Sequence, residues 1–443
     1  MRHLPLALLA ALILWAPIPF GSVTPWGVVV LIAGVSLVTL SVAATGKVAL
    51  GDRRGVVLGL AGLGALGFGQ AAAGLSLAPV LSRQAAVGWW TLALLFVAAM
   101  QIAGRPRARP VLLVAVLTAT AFQVVYGGRQ LVRDPYSIWG RAAGGPGRFR
   151  GTLVNSDHLA VWLEVVMAIC LAWTWWAWRR SRREPRFVYR LAWLAPPIAC
   201  WLGSARAVVA TGSRAALAAV VLGAVFQVAL LVAPSGRWWM SAALLGAVFV
   251  GGVAVVARGP APDLGRQLSR PLHEVVASER FAVWGPSFEL WRGAPLLGTG
   301  LGTFEEAFPR VQPPELQRNR WGRAHNDPLE LLVTGGLVGV GLLAWALWIL
   351  ARRLWAVYRS GTLPAARAAA LAGLAALAPV TLHEGVDFGL TVPANAVLLT
   401  VLLAVGAAGP TAAERGAAPL RSPYGRPPRP GSRARGGAAQ PVR

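Results

Sequence analysis

The stretch Leu329-Glu330-Leu331-Leu332-Val333-Thr334-Gly335-Gly336-Leu337-Val338-Gly339-Val340-Gly341-Leu342-Leu343-Ala344-Trp345-Ala346-Leu347-Trp348 decides the fold class. It carries one charge, at its start, and roughly 20 residues at about 1.5 Å each are what a helix needs to cross a hydrocarbon core. Just before it stands Arg323-Ala324-His325-Asn326-Asp327-Pro328. That junction places a titratable imidazole at a helix start, on a membrane surface, after a long segment crowded with arginines. Such a setting suits chemistry on an anionic lipid.

The same apolar character runs through the chain. Its 443 residues are 56% hydrophobic and 13% charged, with a mean hydropathy of +0.57. Soluble domains carry about a quarter charged residues, so the expected class is an all-α integral membrane protein. Apolar stretches lie near 4–20, 23–45, 55–73, 86–103, 111–127, 157–178, 191–210, 215–233, 238–257, 329–350, 366–385 and 391–409. They predict about twelve transmembrane helices, with ten or eleven as the lower count. The first stretch has the length of a secretion signal but lacks a clear small-x-small cleavage site. A second span follows at once, so it reads as a retained helix.

Basic residues orient the bundle. With the N-terminus cytoplasmic, the inner loops and tail hold more than half of the 42 Lys+Arg, among them Arg179, Arg180, Arg182, Arg183, Arg186 and Arg190. Of the 17 Asp+Glu, only Asp52, Glu184 and Glu414 fall on that side. The positive-inside rule therefore agrees with one topology, and the net charge of +25 reflects orientation rather than nucleic-acid binding. Cys170 and Cys200 both fall inside spans and show no metal or redox spacing. One polytopic membrane domain is expected over about 1–409. From 410 to 443 the Pro, Gly, Ala and Arg-rich composition predicts a disordered basic cytoplasmic tail.

Two outer loops exceed what a connection requires: about 128–155 and about 258–327. In the second, Phe281, Trp284, Phe288 and Trp291 recur at helical spacing, which predicts a helix lying flat against the bilayer or the bundle. At the junction, Asp327 fits an N-cap with Pro328 in the first helical position and Glu330 at the third. His325 needs no role in that cap. The positive end of the helix disfavours an imidazolium there, leaving a neutral ring able to accept a proton. A plain interfacial histidine is the other reading, and spacing alone does not choose between them.

Ser204-Ala205-Arg206 and Thr211-Gly212-Ser213-Arg214 interrupt two spans with almost no loop between them. Snorkelling explains one arginine at the mouth of a bundle, whereas two close together make an anion site, since planar forks hold phosphate oxygens in pairs. Gly298-Thr299-Gly300-Leu301-Gly302 mimics a nucleotide loop without a preceding strand, and reads as a tight turn. In Arg150-Gly151-Thr152-Leu153-Val154-Asn155-Ser156-Asp157-His158, Asn155 or Ser156 fits a helix cap. His383, Glu384 and Asp387 are polar groups in costly surroundings and are marked for that reason. There is no HExxH, CxxC, P-loop or G-x-S-x-G pattern, and neither a metal nor a cofactor is indicated.

Taken in order, these motifs resemble the O-antigen ligase/polymerase family. They are Thr211-Gly212-Ser213-Arg214-Ala215-Ala216-Leu217; Arg280-x-x-x-Trp284; Pro295-x-x-Gly298-x-Gly300-x-Gly302-x-Phe304; His325-Asn326-x-x-Leu329-Glu330; and Gly335-Gly336-Leu337-x-Gly339. The clearest part covers about 200–340, with the large outer loop inside it. The resemblance implies an inverting, metal-independent, GT-C-like membrane glycosyltransferase in the bacterial inner membrane, its site facing the periplasm. It implies a glycan donor on undecaprenyl diphosphate and an acceptor hydroxyl on lipid A-core or another glycan. By position, His325 matches the family's essential histidine, and Arg214 and Arg280 match arginines thought to grip the diphosphate. Arg206 on the same anion, and Asn155, Asn326 and His383 in support, follow more weakly.

The residues agree with that chemistry. A sugar–diphosphate bond has a charged leaving group that guanidiniums stabilise, and the attacking hydroxyl needs a base within reach. A polymerase extending the same lipid-linked glycan fits the motifs equally. A transferase acting on a protein hydroxyl is a third enzyme reading. About twelve spans also suit a transporter, but the polar groups gather at the outer face and the halves show no internal symmetry.

Overall fold

The computed structural model describes residues 3–46, 50–105, 107–144, 147–182, 184–232, 279–360 and 364–410, with the backbone alone at 279, 280 and 364. The expected span near 238–257, the first part of the 258–327 loop and the tail beyond 410 lie outside the described residues.

The chain folds into helices α1 (Leu4–Trp15), α2 (Pro25–Ala43), α3 (Arg54–Ala72), α4 (Pro79–Ala103), α5 (Ala108–Arg133), α6 (Ser156–Ser181), α7 (Phe187–Thr211) and α8 (Arg214–Val232). Then come α9 (Glu279–Ala282), α10 (Trp284–Gly293), α11 (Phe304–Ala307), α12 (Asp327–Arg359), α13 (Pro364–Glu384) and α14 (Pro393–Ala408). Prolines open α2, α4 and α14, where a missing N–H costs nothing. Among the described residues, 8 helices are long and apolar enough to cross a membrane, while α1 and α14 are apolar but shorter. The predicted span near 191–210 is the 25-residue α7. One departure from an all-α chain is a two-residue hairpin, Ser137–Ile138 paired with Arg141–Ala142. Its turn residues Trp139 and Gly140 both have positive φ, the type I′ geometry that suits a tight hairpin. It falls in the first outer loop, which begins later than expected because α5 runs on to Arg133.

Burial sorts the bundle. In α6, 72% of the apolar window is buried, against 28% in α2. α6 packs on α7, α8 and α13; α12 packs on α3 and α13; α14 packs on α4 and α13. Apolar side chains such as Leu40, Leu58 and Val125 remain exposed on the outer helices. In water that surface would drive aggregation, whereas lipid tails cover it without cost. At one end, Arg53, Arg109 and Arg353 donate to the free carbonyls of Ala407, Ala408 and Gly409, closing the C-terminus of α14.

The glycines of the second loop have a structural use that the turn reading did not reach. α12 is broken at Gly336, whose φ of 63° and ψ of −166° suit glycine alone. The break frees backbone groups inside an apolar bundle, where each needs a partner. Residues 295–300 supply them. Thr299 and Gly300 donate to the carbonyls of Val333 and Thr334 at 3.0 Å each, and Leu337 and Val338 donate to Pro295 and Leu296. Gln70 of α3 closes the seam, donating to Leu297 and Thr334 and accepting from the Leu301 N–H at 2.9 Å. A Cβ on Gly336 would sit 2.3 Å from the Leu296 oxygen, and one on Gly298 would sit 2.4 Å from the Thr334 carbonyl carbon. Loop and helix are therefore one unit. Val283, Leu290, Phe304, Phe308, Trp321 and Val333 form a second apolar core above the seam. The expected aromatic helix is α9 and α10, and α10 lies against α12.

Candidate functional site

Local bonding presents His325. Asn326, not Asp327, caps α12: its Oδ1 accepts from the Leu329 N–H at 2.9 Å. The cap thus begins one residue earlier than the spacing suggested, and Asp327 opens the helix with its carboxyl released for another contact. Glu330, in the first turn, folds back to accept from Arg323 Nη1 at 2.7 Å and from the Ala324 N–H at 3.1 Å. Burial would lower the Arg323 pKa, but Glu330 beside it raises it above the usual guanidinium value. With residues on both sides pinned, His325 takes a left-handed φ of 51°. A non-glycine residue there is uncommon, and such strain gathers at functional sites. The ring is half-buried, edge-to-face with Trp321 at 5.9 Å and with Phe388 at 4.8 Å.

Phe388 joins two histidines. Its ring meets His158, near the start of α6, also at 4.8 Å. The segment after α13 is tied to the His325 junction by the Asp327 N–H, which donates to the Asp387 carbonyl at 3.3 Å. The Asp327 and Glu384 side chains face one another. Glu384 accepts from the Leu390 N–H at 3.1 Å. Behind them His383 Nδ1 lies 2.6 Å from Glu164 Oε1, with both side chains fully buried, and Nε2 lies 3.8 Å from Asp387. Asn395 donates to the carbonyls of His158 and Gly389, each at 2.9 Å.

The third wall comes from α6, α7 and α8. Asn155 caps α6 through the Asp157 N–H at 2.9 Å. The Asp157 carboxylate takes Arg148 at 2.9 Å, and Arg148 Nε donates to the Thr211 carbonyl at 2.5 Å. Directly after Thr211, Gly212 stops α7 in the left-handed conformation and the Ser213 hydroxyl accepts from Ala216, starting α8. Arg214 is the first residue of α8, at the positive end of that helix. A cation there is poorly matched to the helix dipole, and the two together favour an anion. Arg206 lies inside α7, half-buried, about 7.5 Å before its end by helical rise. Arg150 is a scaffold element: it is buried, donates to Ala143, Gly144, Val154 and Pro135 carbonyls, and has a pKa lowered by burial and then by Arg148.

A continuous path of contacts therefore runs from His325 through Phe388, His158, Asp157 and Arg148 to Thr211, three residues from Arg214. The structure gathers His325, Asn326, His383, Asn155 and Arg214 at one end of the bundle, with Arg206 in the helix leading there. The Arg280 side chain lies outside the described residues. Sequence reading passed over His158, Phe388, Arg148 and Glu164. Glu164 carried a usable signal, an acid inside an apolar span; Phe388 carried none. Among the described residues no group of three or more His, Cys, Asp or Glu is arranged to hold a metal ion.

The arrangement offers a half-buried imidazole, with the Arg148 guanidinium fixed on a neighbouring wall. No curated protein matches the chain. Residues 198–344 match the family model described as O-antigen ligase, a segment that runs from α7 into α12 and takes in Arg206, Arg214, Arg280, His325 and the broken helix. Through that segment, 147 of the 443 residues, this multi-pass membrane protein is similar to the O-antigen ligase family.

Proposed function

We propose that the protein transfers a glycan from undecaprenyl diphosphate to an acceptor hydroxyl, with lipid A-core as the acceptor, at the periplasmic face of the bacterial inner membrane. The family match supports an O-antigen ligase/polymerase-type membrane enzyme. The observation that carries the finer reading is the placement of His325, held in a strained conformation and half-buried at the end of the bundle where Arg214 begins α8.

In this reading His325 takes the proton of the acceptor hydroxyl. The oxygen attacks the anomeric carbon from the face opposite the diphosphate, and the carbon–oxygen bond to phosphate breaks with its electron pair leaving on the diphosphate. The product linkage is inverted. Arg214 and Arg280, with Arg206, stabilise the charge that gathers on the leaving group, a role that needs no metal. Arg148 touches none of the reacting atoms; it sets the α7–α8 turn on which Arg214 sits.

Purified protein with lipid-linked donor tests this directly. His325→Ala, Arg214→Ala and Arg280→Ala should each abolish transfer while the protein stays in the membrane, and chelators should leave the wild-type rate unchanged. Full activity in all three variants would overturn the assignment, as would labelling that reaches the Trp321 segment only from the cytosol. Lipopolysaccharide from a deletion strain separates the two family activities. Loss of a ligase leaves lipid-linked chains of normal length, whereas loss of a polymerase leaves single repeat units on the core.

A further inference from the structure

α6 carries His158 near one end and Arg180 near the other, 22 residues or about 33 Å apart by helical rise, which is a full hydrocarbon thickness. The far end is built differently. Trp173, Trp176 and Trp193 pack ring to ring at 4.5 to 6.4 Å. Guanidiniums lie over these rings and their neighbours. Arg180 lies over both Trp176 and Trp193, at 5.7 and 5.4 Å. Arg367 of α13 lies over both Trp175 and Tyr358, at 5.4 and 4.8 Å. Arg179 and Arg182 cover Trp175 and Trp178 from within α6.

A guanidinium held over rings by cation–π attraction keeps its N–H groups available to an anion, and paired N–H groups suit phosphate oxygens. Local i, i+4 pairing explains Arg179 and Arg182. It does not explain Arg180 and Arg367, which are each held by rings from two helices. Countercharge is scarce as well. Glu184 is the sole acid between Glu164 and Asp263, and the chain from Leu331 to His383 contains none. Glu184 is turned to the Arg186 backbone N–H at 3.3 Å. Arg367 Nε is buried with no hydrogen-bond acceptor among the described residues. Beside the cluster, Phe187, Val188 and Leu191 at the start of α7 expose apolar surface for acyl chains.

We propose that this end of the bundle is a binding site for an anionic phospholipid of the adjacent leaflet, with Arg180 and Arg367 as its phosphate ligands. Two separately clamped forks match a headgroup with two phosphates, so the diphosphatidyl form binds more tightly than phosphatidylglycerol. The bound lipid ties α6, α7, α12 and α13 together at the end away from His325. This site is independent of the lipid-linked donor, which the proposed function places at the opposite surface.

The test uses the full chain, purified in detergent, stripped of lipid and titrated by native mass spectrometry with diphosphatidylglycerol, phosphatidylglycerol and phosphatidylcholine. The wild type should prefer the diphosphatidyl lipid to phosphatidylcholine at least tenfold, and its melting temperature should rise on binding. Arg180→Gln/Arg367→Gln should lose both effects, and Arg310→Gln, in the second loop, should keep both. Should the double variant fail to fold in detergent alone, Arg180→Lys keeps the charge without the fork and should weaken binding several-fold. Equal binding of phosphatidylcholine by the wild type, or an unchanged preference in the folded variants, overturns the site. So does protection by inorganic pyrophosphate equal to that of the lipid, which would assign the cluster to a soluble anion.

Discussion

His325 and His383 belong to one end of the same bundle and live in opposite environments. His325 sits in a short loop with a left-handed backbone, half-buried, and its ring lies edge-to-face with Trp321 and Phe388. His383 is inside the last turn of α13, fully buried, and clamped by Glu164 on one nitrogen with Asp387 beyond the other. A base has to reach its substrate and change charge during turnover, which the first setting allows. The second setting spends the imidazole on satisfying a carboxylate that has no water to turn to. The sequence marks His383 as a polar group in costly surroundings and His325 by its place before a helix start; the structure shows that their environments are opposite.

The sharpest break of this contrast is the pair of alanine variants. His325→Ala should lower the transfer rate by about 10²–10⁴-fold, the usual worth of a general base, with no change in melting temperature. His383→Ala should do the reverse. It strands Glu164 in an apolar interior at a cost of about 3–5 kcal/mol, read as a lower melting temperature in detergent, while the rate per folded molecule stays within a few-fold of wild type. A His383 variant of normal stability and no activity would dissolve the distinction.

Gly336→Ala sharpens it from the side of the scaffold. The backbone conformation alone costs about 1–3 kcal/mol for a non-glycine residue, and the new Cβ also strikes the Leu296 oxygen. Limited proteolysis should then cut the 295–304 segment, and activity should fall with it because that segment and the His325 junction share one core. The smallest effect expected is from Asn326→Ala, which removes the α12 cap at about 1 kcal/mol. Its melting temperature should drop slightly and its rate more, since the cap holds the residue next to the base.

Much of this molecule was legible along the chain. Hydropathy located the described membrane helices, because a span is a sum over about 20 neighbours and needs no knowledge of the fold. It missed the early start of α4 at Pro79 and the late ends of α5 at Arg133 and α12 at Arg359. The aromatic spacing of Phe281, Trp284, Phe288 and Trp291 marked a helix, and Asn155 marked a cap. Asp327 was misjudged as a cap by one position, since two adjacent residues both suit the role and only the backbone turn chooses Asn326. The glycines at 298, 300 and 302 announced unusual backbone but not their partner, because the helix they mend at Gly336 lies beyond a whole folded loop.

Composition and local periodicity were enough to mark a multi-pass membrane protein. They were enough to single out His325 at a helix start. They had no means of bringing Phe388 between two histidines, setting Glu164 against His383, or laying Arg148 across the α6–α7 junction. Those contacts join parts of the chain far apart in order, and they exist only because the helices pack in one arrangement that leaves each buried polar group a particular neighbour.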